Sequence, residues 1–173
     1  MHGLDLPGTI ALFTSRLDTL AHLLSKAEAH FGADHSFLDG RVAPDMLPFR
    51  TQVFYACNQP HNFALWCGAS QPPLQPSSDA ATLEQVRGHV EATKALVLSL
   101  GNIQASVPKR ARIVLGPKLH AEMPAYEYVN DFLVPNLYFH LVTAYAILRM
   151  AGLPIGKADY MQHMRDLVVQ DSP

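Results

Sequence analysis

The sequence predicts an all-α protein, a four-helix bundle with a long crossover and a small β-hairpin before the last main helix. Three observations lead to this fold class. Four segments repeat apolar residues at steps of three and four, the period of an amphipathic helix. A proline- and serine-rich stretch, residues 69–82, is long enough to cross the length of a bundle. Residues 102–124 break the helical period, and within them residues 112–120, around a Gly116-Pro117 turn, are typical of a hairpin.

The first helix is predicted over residues 9–30. Pro7-Gly8-Thr9 is its start signal and Gly32 its stop signal. The second is predicted to start near Pro44-Asp45, with Asp45 as N-cap and Pro48 in the first turn. Its apolar residues cover a wide arc, so we expect it to be central in the bundle.

Proline and capping residues shape the rest of the chain. Pro60 should kink or split the second helix, because it removes one backbone hydrogen bond. Thr82 and Gln85 fit a capping box that starts a third helix, which ends near Gly101. After the hairpin, a short helix over residues 124–131 should be interrupted by Pro135.

The last main helix is predicted over residues 135–151, closed by Gly152 and Pro154. It contains most of the chain's most apolar stretch, residues 132–148. That stretch includes several polar residues and falls short of the clean apolar run of about 20 residues that a membrane span needs. We therefore interpret it as a buried core helix. Residues 157–168 should add one or two amphipathic turns.

Composition limits the function classes. The 173 residues are 49% hydrophobic and 16% charged with a net charge of −2, which fits one domain over residues 1–173 and argues against a nucleic-acid-binding protein. Residues 1–5 lack a basic segment followed by an apolar one, so no secretory signal is expected.

Cys57 and Cys67 lie about 15 Å apart on one predicted helix, too far for a disulfide. Two reduced, buried thiols fit a cytoplasmic protein.

Two motifs carry a family resemblance. The first is Ala43-Pro44-Asp45-Met46-Leu47-Pro48-Phe49 followed by Gln52-Val53, and the second is Pro135-Asn136-Leu137-Tyr138-Phe139-His140 continuing through residues 143–149. Together they resemble a bacterial branch of unknown function in the DinB/YfiT-like superfamily. The resemblance implies a four-helix bundle, often dimeric. It also implies the three-histidine metal site that many members carry, with one histidine from the second helix and a His-x-x-x-His pair from the fourth. Some members are metal-dependent hydrolases or thiol-dependent transferases.

This chain departs from the implied metal site. His140 could be the first of the pair, but Ala144 stands four residues later and Asn136 four residues earlier. His61 on the second helix could face His140. A site of two histidines and one oxygen ligand would suit a divalent metal such as zinc, nickel or manganese.

The alternative interpretation is a buried His140 hydrogen-bonded to Asn136, Thr143 or a backbone carbonyl. A metal-free ligand pocket is the third alternative, with Asn136, Thr143 and Tyr145 as candidates. Cys57 precedes His61 by one turn and could bind metal or form an activated thiolate, but Pro60 lies between them and weakens that geometry, so a buried structural thiol is the favoured interpretation. Seven further histidines show no ligand spacing with one another. His22 and His30 on the first helix and His89 on the third are expected to be exposed or half-buried. His2 and His35 lie in irregular chain, His120 on the hairpin and His163 near the end.

The sequence therefore predicts a DinB-like bundle with a degenerate metal site that binds a small ligand or a partner as a homodimer. The alternative is a metal-dependent hydrolase or thiol-dependent transferase with His140 and His61 as metal ligands. Neither hypothesis involves nucleic acid or a membrane. Both place the protein in the cytoplasm.

Overall fold

Four long helices form the core of the protein. The structure is a computed structural model that describes residues 4–68, 82–102 and 107–169. The long helices are α1 (Leu6–Phe31), α2 (Phe49–Trp66), α3 (Leu83–Ser99) and α5 (Val134–Met150). α2 packs against both α3 and α5, and α1 packs against α3. This arrangement confirms the predicted four-helix bundle.

Shorter elements connect and decorate the bundle. They are the 3₁₀ helices Ser36–Asp39, Leu100–Asn102 and Gln162–Leu167, the strands β1 (Arg110–Gly116) and β2 (Leu119–Pro124), the helices α4 (Ala125–Glu127) and α6 (Lys157–Tyr160), and the π-helix Tyr128–Leu133. The predicted crossover, apart from Thr82, lies outside the described residues. Its far end is confirmed, because Thr82 and Gln85 form the capping box that starts α3.

The ends of α1 follow from its capping residues. The helix begins at Leu6, three residues before the predicted start, because the Asp5 side chain accepts a hydrogen bond from the Gly8 N–H at 3.1 Å. It ends at Phe31, where Gly32 takes a φ of 57°. A positive φ is costly for residues with a Cβ, so glycine is the residue that this ending needs.

The start of α2 differs from the prediction. Asp45 is not its N-cap: the helix begins at Phe49, and Pro48 occupies the cap position with extended backbone. A residue that precedes proline is biased away from helical geometry, which favours a helix that starts after Pro48 over one that continues from Leu47 into it. Residues 43–46 form a separate turn closed by the Met46 N–H and the Ala43 carbonyl at 3.0 Å.

Neither internal proline divides its helix. α2 runs through Pro60 as one element. The chain also stays helical from Ala125 to Met150, without the predicted interruption at Pro135. The π-helix ends at Leu133, two residues before Pro135, and the Val134 N–H that follows it bonds to the Val129 carbonyl five residues back. A wider turn relieves the clash that the proline ring makes with the carbonyl of the preceding turn.

The hairpin is confirmed, and it is attached to the end of α2. β1 and β2 pair antiparallel, with an irregularity in register between Val114 and Gly116. The indole N–H of Trp66 donates to the Arg110 carbonyl at 3.3 Å. The Trp66 ring also packs edge-on against Tyr128, at 5.0 Å between centroids. The contact with Arg110 gives a short hairpin support that it lacks by itself.

α5 with the turns that precede it is the most apolar helical run. Residues 125–150 have a mean hydropathy of 1.2 in their best window, which by length and composition alone is enough for a membrane span, and 39% of that window is buried inside the protein. The buried positions lie on one side and contact the bundle, among them Leu137, Leu141 and Ile147. A core helix of a bundle has the same composition. The opposite side is also partly apolar, because Phe139, Val142 and Met150 are exposed.

Candidate functional site

His140 lies at the contact between α5 and α2. Its Nδ1 is 2.8 Å from Oε1 of Gln52, a buried residue in the first turn of α2. The Gln52 amide nitrogen donates to the Leu47 carbonyl at 3.0 Å. Gln52 therefore connects the imidazole to the segment just before α2.

This geometry fixes the protonation pattern of the imidazole. A backbone carbonyl can only accept, so the NH₂ group of Gln52 must face Leu47 and its oxygen must face His140. Nδ1 of His140 must then carry the proton and donate it to that oxygen. In the neutral ring, Nε2 is left as an acceptor. Burial lowers the pKa of His140 and favours this neutral form.

Aromatic rings hold the imidazole on two sides. Tyr55, one turn after Gln52 on α2, stacks on it with the ring centroids 5.2 Å apart and the planes 26° apart. Phe139 packs edge-on at 5.2 Å. His140 is half-buried at this contact, and its Nε2 makes no hydrogen bond to any residue that the structure describes. The ring is thus anchored, neutral and left with one unused acceptor.

The predicted partners of His140 are wrong. The Asn136 side chain donates to the Phe132 carbonyl at 2.6 Å, and the Thr143 hydroxyl donates to the Phe139 carbonyl at 2.7 Å. Both residues bond the preceding turn of their own helix, which is a frequent choice for short polar side chains. The imidazole is hydrogen-bonded, as that interpretation required, but to a residue on a different helix, and it is half-buried rather than buried.

Tyr145 lies away from the other ligand-pocket candidates. It follows Thr143 by two residues, which is about 200° around a helix. Its ring packs against Tyr160 of α6 at 5.9 Å between centroids. The structure therefore does not bring Asn136, Thr143 and Tyr145 together as one pocket lining.

His61 belongs to a second polar contact, between α2 and α3. It is fully buried, and its neighbour is His89 on α3. His89 was expected to be exposed or half-buried, but it is buried and packs on the Phe54 ring at 4.3 Å between centroids. Burial, and then the proximity of His61, lowers the pKa of His89 to about 4. Helical periodicity placed His89 on α3 without showing that a ring of α2 covers it.

Cys57 lies one turn before His61 in the same contact. It is fully buried, and burial raises the pKa of its thiol to about 12 despite a hydrogen bond with Thr93. A thiol with this pKa is not a nucleophile near neutral pH. The environment favours the structural interpretation of Cys57. Cys67 is also a free, buried thiol, so the expected reduced state holds for both cysteines.

No group of three or more His, Cys, Asp or Glu side chains has the arrangement of a metal site within residues 4–68, 82–102 and 107–169. Ala144, the position where the resemblance implies a second histidine, is fully buried. The described neighbours of His140 offer it an amide and two aromatic rings instead of further metal ligands. His61 and His140 have different described neighbours, His89 and Gln52 respectively.

These helices and the hairpin before the last of them define a DinB-like four-helix bundle. The crystal structure of a DinB family member protein from Shewanella denitrificans matches this fold with a TM-score of 0.73 and 24% sequence identity, over 91% of this chain and 96% of that chain. The chain belongs to the DUF1993 family, a domain of unknown function whose model matches residues 7–161. No curated protein matches the chain in sequence.

Sequence reasoning did not assign Gln52 and Tyr55 to the site. Their spacing of three residues puts them on one face of α2. Gln52 also stands within the first of the two motifs that carry the family resemblance. A glutamine on an apolar helix face needs a hydrogen-bond partner when it is buried, and this requirement was the sequence signal that could have indicated Gln52 as a site residue.

Proposed function

We propose that this DinB-like protein binds a small ligand or a partner beside His140, as a homodimer, and that its metal site is degenerate. The single observation that carries the proposal is the Nδ1 contact of His140 with Gln52. It leaves one neutral acceptor nitrogen, Nε2, beside the flat Tyr55 ring. Such a site suits a ligand group that donates one hydrogen bond and has a face to stack.

An exposed apolar stripe on α5 supports the homodimer. Phe139 is 57% exposed, Val142 48% and Met150 64%. They recur at steps of three and eight residues, which keeps them on one side of the helix. Apolar stripes of this kind are usually covered by another surface. A second copy that covers Phe139 would also close over the neighbouring His140.

One observation favours the alternative function, a metal-dependent hydrolase or transferase with His140 and His61 as ligands. Metal-binding histidines commonly donate their second ring N–H to an oxygen, and His140 donates to Gln52 in this way. The absence of a histidine at Ala144 supports the degenerate site instead. Metal binding is therefore the property that separates the two functions.

Thermal unfolding of the wild type and of His140→Gln separates them, with chelator and with added zinc, nickel or manganese. A degenerate site predicts the same melting temperature in every buffer, because only binding to the native state raises it. The matched control is His120→Gln, which removes an exposed imidazole from β2.

A metal-dependent rise in the wild type and in His120→Gln, lost in His140→Gln, would overturn the degenerate site and support the enzyme. Ligand binding is tested with phenol, which has an O–H donor and a flat ring. Phenol should shift the His140 ring signals in an NMR titration and leave those of His120 unchanged. If it shifts neither or both equally, His140 is not the proposed binding group.

A further inference from the structure

A cavity of about 640 Å³ lies between α1 and the C-terminal segment that contains α6. This volume falls in the range of small-molecule sites. The cavity shares no lining residue with the His140 site. Its lining combines charged and apolar side chains, namely His22, Lys26, Ala158, Asp159, Met161, Gln162, Met164, Arg165 and Val168.

Protein groups already neutralise the one carboxylate of this lining. Oδ1 of Asp159 is 3.0 Å from Nε2 of His22 and 2.9 Å from Nζ of Lys26. Its Oδ2 accepts the Gly156 N–H at 2.8 Å. Burial alone would raise the pKa of Asp159, but these hydrogen bonds outweigh it and lower the pKa. Asp159 therefore stays ionised and holds Lys26 at the edge of the cavity.

The two cationic side chains of the lining, Lys26 and Arg165, keep hydrogen-bond donors that no group of the described residues occupies. The Lys26 ammonium has three N–H groups, and its contact with Asp159 at 2.9 Å occupies one of them. Arg165 makes no ion pair with any residue in the described part of the chain. The lining thus presents an excess of positive charge with free donors, which is complementary to an anion.

The remaining lining is apolar and adaptable. Met161 and Met164 come from the C-terminal segment and Ala158 from α6. Unbranched thioether side chains adjust to ligands of different shape. A ligand that matches both parts has one anionic group and an apolar body. A small inorganic anion would leave the apolar part unused.

We propose that this cavity binds an organic monoanion with an apolar body, such as a medium-chain carboxylate, with its carboxylate between Lys26 and Arg165. The proposal is independent of the function assigned to His140. A carboxylate that accepts from both cations gains two charge-assisted hydrogen bonds, and the chain gains contacts with the methionines.

The test is calorimetric titration of the full chain with octanoate, its neutral analogue octanamide and its cationic analogue octylammonium. Octanoate should bind. Octanamide should bind about tenfold more weakly, as expected for the loss of a charge-assisted hydrogen bond, and octylammonium should bind more weakly still. Equal binding of octanoate and octanamide would overturn the charge complementarity. No binding of octanoate would overturn the site.

Variants locate the binding. Arg165→Gln should weaken octanoate about tenfold and octanamide by much less, because the amide oxygen is an uncharged and therefore weaker acceptor for the guanidinium. Arg112→Gln, an exposed position on β1 that loses the same charge, is the matched control and should bind octanoate like the wild type. His140→Gln should also bind normally, so a failure at this cavity stays separate from a failure at His140. Equal losses in Arg165→Gln and Arg112→Gln would indicate a general charge effect and overturn the proposal.

Discussion

The imidazole of His140 and the side-chain amide of Gln52 form one hydrogen-bonded unit across the α2–α5 contact, with 2.8 Å between Nδ1 and Oε1. The unit continues through the amide nitrogen to the Leu47 carbonyl. Three separate parts of the fold are thus joined by two hydrogen bonds. Removing either side chain leaves a buried or half-buried polar group without its partner, and that loss costs more than the bond itself contributes.

The first prediction concerns the strength of this unit. His140→Ala should lower the free energy of unfolding by about 1–3 kcal/mol, whatever the metal content of the buffer, because it leaves the Gln52 oxygen unsatisfied. Combined with Gln52→Leu, it should show a coupling of about 1 kcal/mol, since the two side chains share one hydrogen bond. Urea unfolding of the two single variants and the double variant measures this coupling.

Asn136 provides the control for that cycle. It bonds Phe132 and not His140, so the coupling between His140→Ala and Asn136→Ala should be smaller than the coupling between His140→Ala and Gln52→Leu. Strong coupling between His140 and Asn136, with none between His140 and Gln52, would contradict the observed pairing. Nitrogen NMR gives a second readout, because the His140–Gln52 bond predicts a proton on Nδ1 and none on Nε2 near neutral pH.

The second prediction concerns acid. His89 has a pKa of about 4 in the folded protein, below the ordinary histidine value of 6.5. The unfolded chain therefore takes up a proton before the native state does. Stability should be complete above pH 6.5 and should fall as the pH drops from 6.5 to about 4. The total loss should be roughly 3 kcal/mol at about 1.4 kcal/mol per unit of pKa shift.

His89→Phe should flatten this decline, because its ring cannot be protonated and still packs against Phe54. Chemical denaturation at several pH values measures the profile. His35→Gln changes an exposed histidine and should keep the wild-type profile. Parallel profiles for the wild type and His89→Phe would show that His89 is not the acid-sensitive group. His89→Leu serves the same purpose if the phenylalanine does not fit.

The third prediction concerns the two thiols. Burial raises the pKa of Cys57 to about 12 and that of Cys67 to about 11. Both should react slowly with a bulky disulfide reagent at neutral pH in the native state, and both should react at once in denaturant. Cys57→Ala and Cys67→Ala assign any reaction to one thiol. Rapid labelling of either cysteine without denaturant would contradict its burial.

The fourth prediction concerns the oligomer. Sedimentation of the wild type should give a dimer, and Phe139→Glu should give a 19.0 kDa monomer, because a charge in the centre of an apolar contact is costly. Leu98→Glu is the matched control, since Leu98 is 48% exposed on α3, away from the stripe, and should leave a dimer. A monomeric wild type at micromolar concentration would rule out the dimer.

Much of the fold could be predicted because local signals and tertiary packing agree. Gly32, the Thr82–Gln85 box and Gly152 mark helix ends through backbone geometry that needs no knowledge of distant contacts. The effect of the prolines was harder to predict. α2 is not split at Pro60 and the chain stays helical through Pro135, although each proline removes one backbone hydrogen bond. Local sequence does not show whether a helix tolerates that loss.

The site was harder to predict because its contacts join different helices. Periodicity indicates which residues share a face, and it placed His140 and His61 on the helices where they lie. It does not indicate which residue of α2 meets His140, because that depends on the axial offset between two helices. The axial offset between α2 and α5 brings Gln52 opposite His140, and the offset between α2 and α3 brings His89 beside His61.

The π-helix adjusts the rotational phase of the last main helix. Tyr128 and His140 are twelve residues apart, which on an unbroken α-helix would place them about 120° apart around the axis. A π turn accommodates one additional residue, and this reduces the angle to about 20°. Tyr128 can then meet Trp66 while His140 meets Gln52, at opposite ends of α2. Deleting Asn130 should therefore remove the π turn and keep both contacts, because the two residues are then eleven positions apart on a continuous α-helix, again about 20° around the axis.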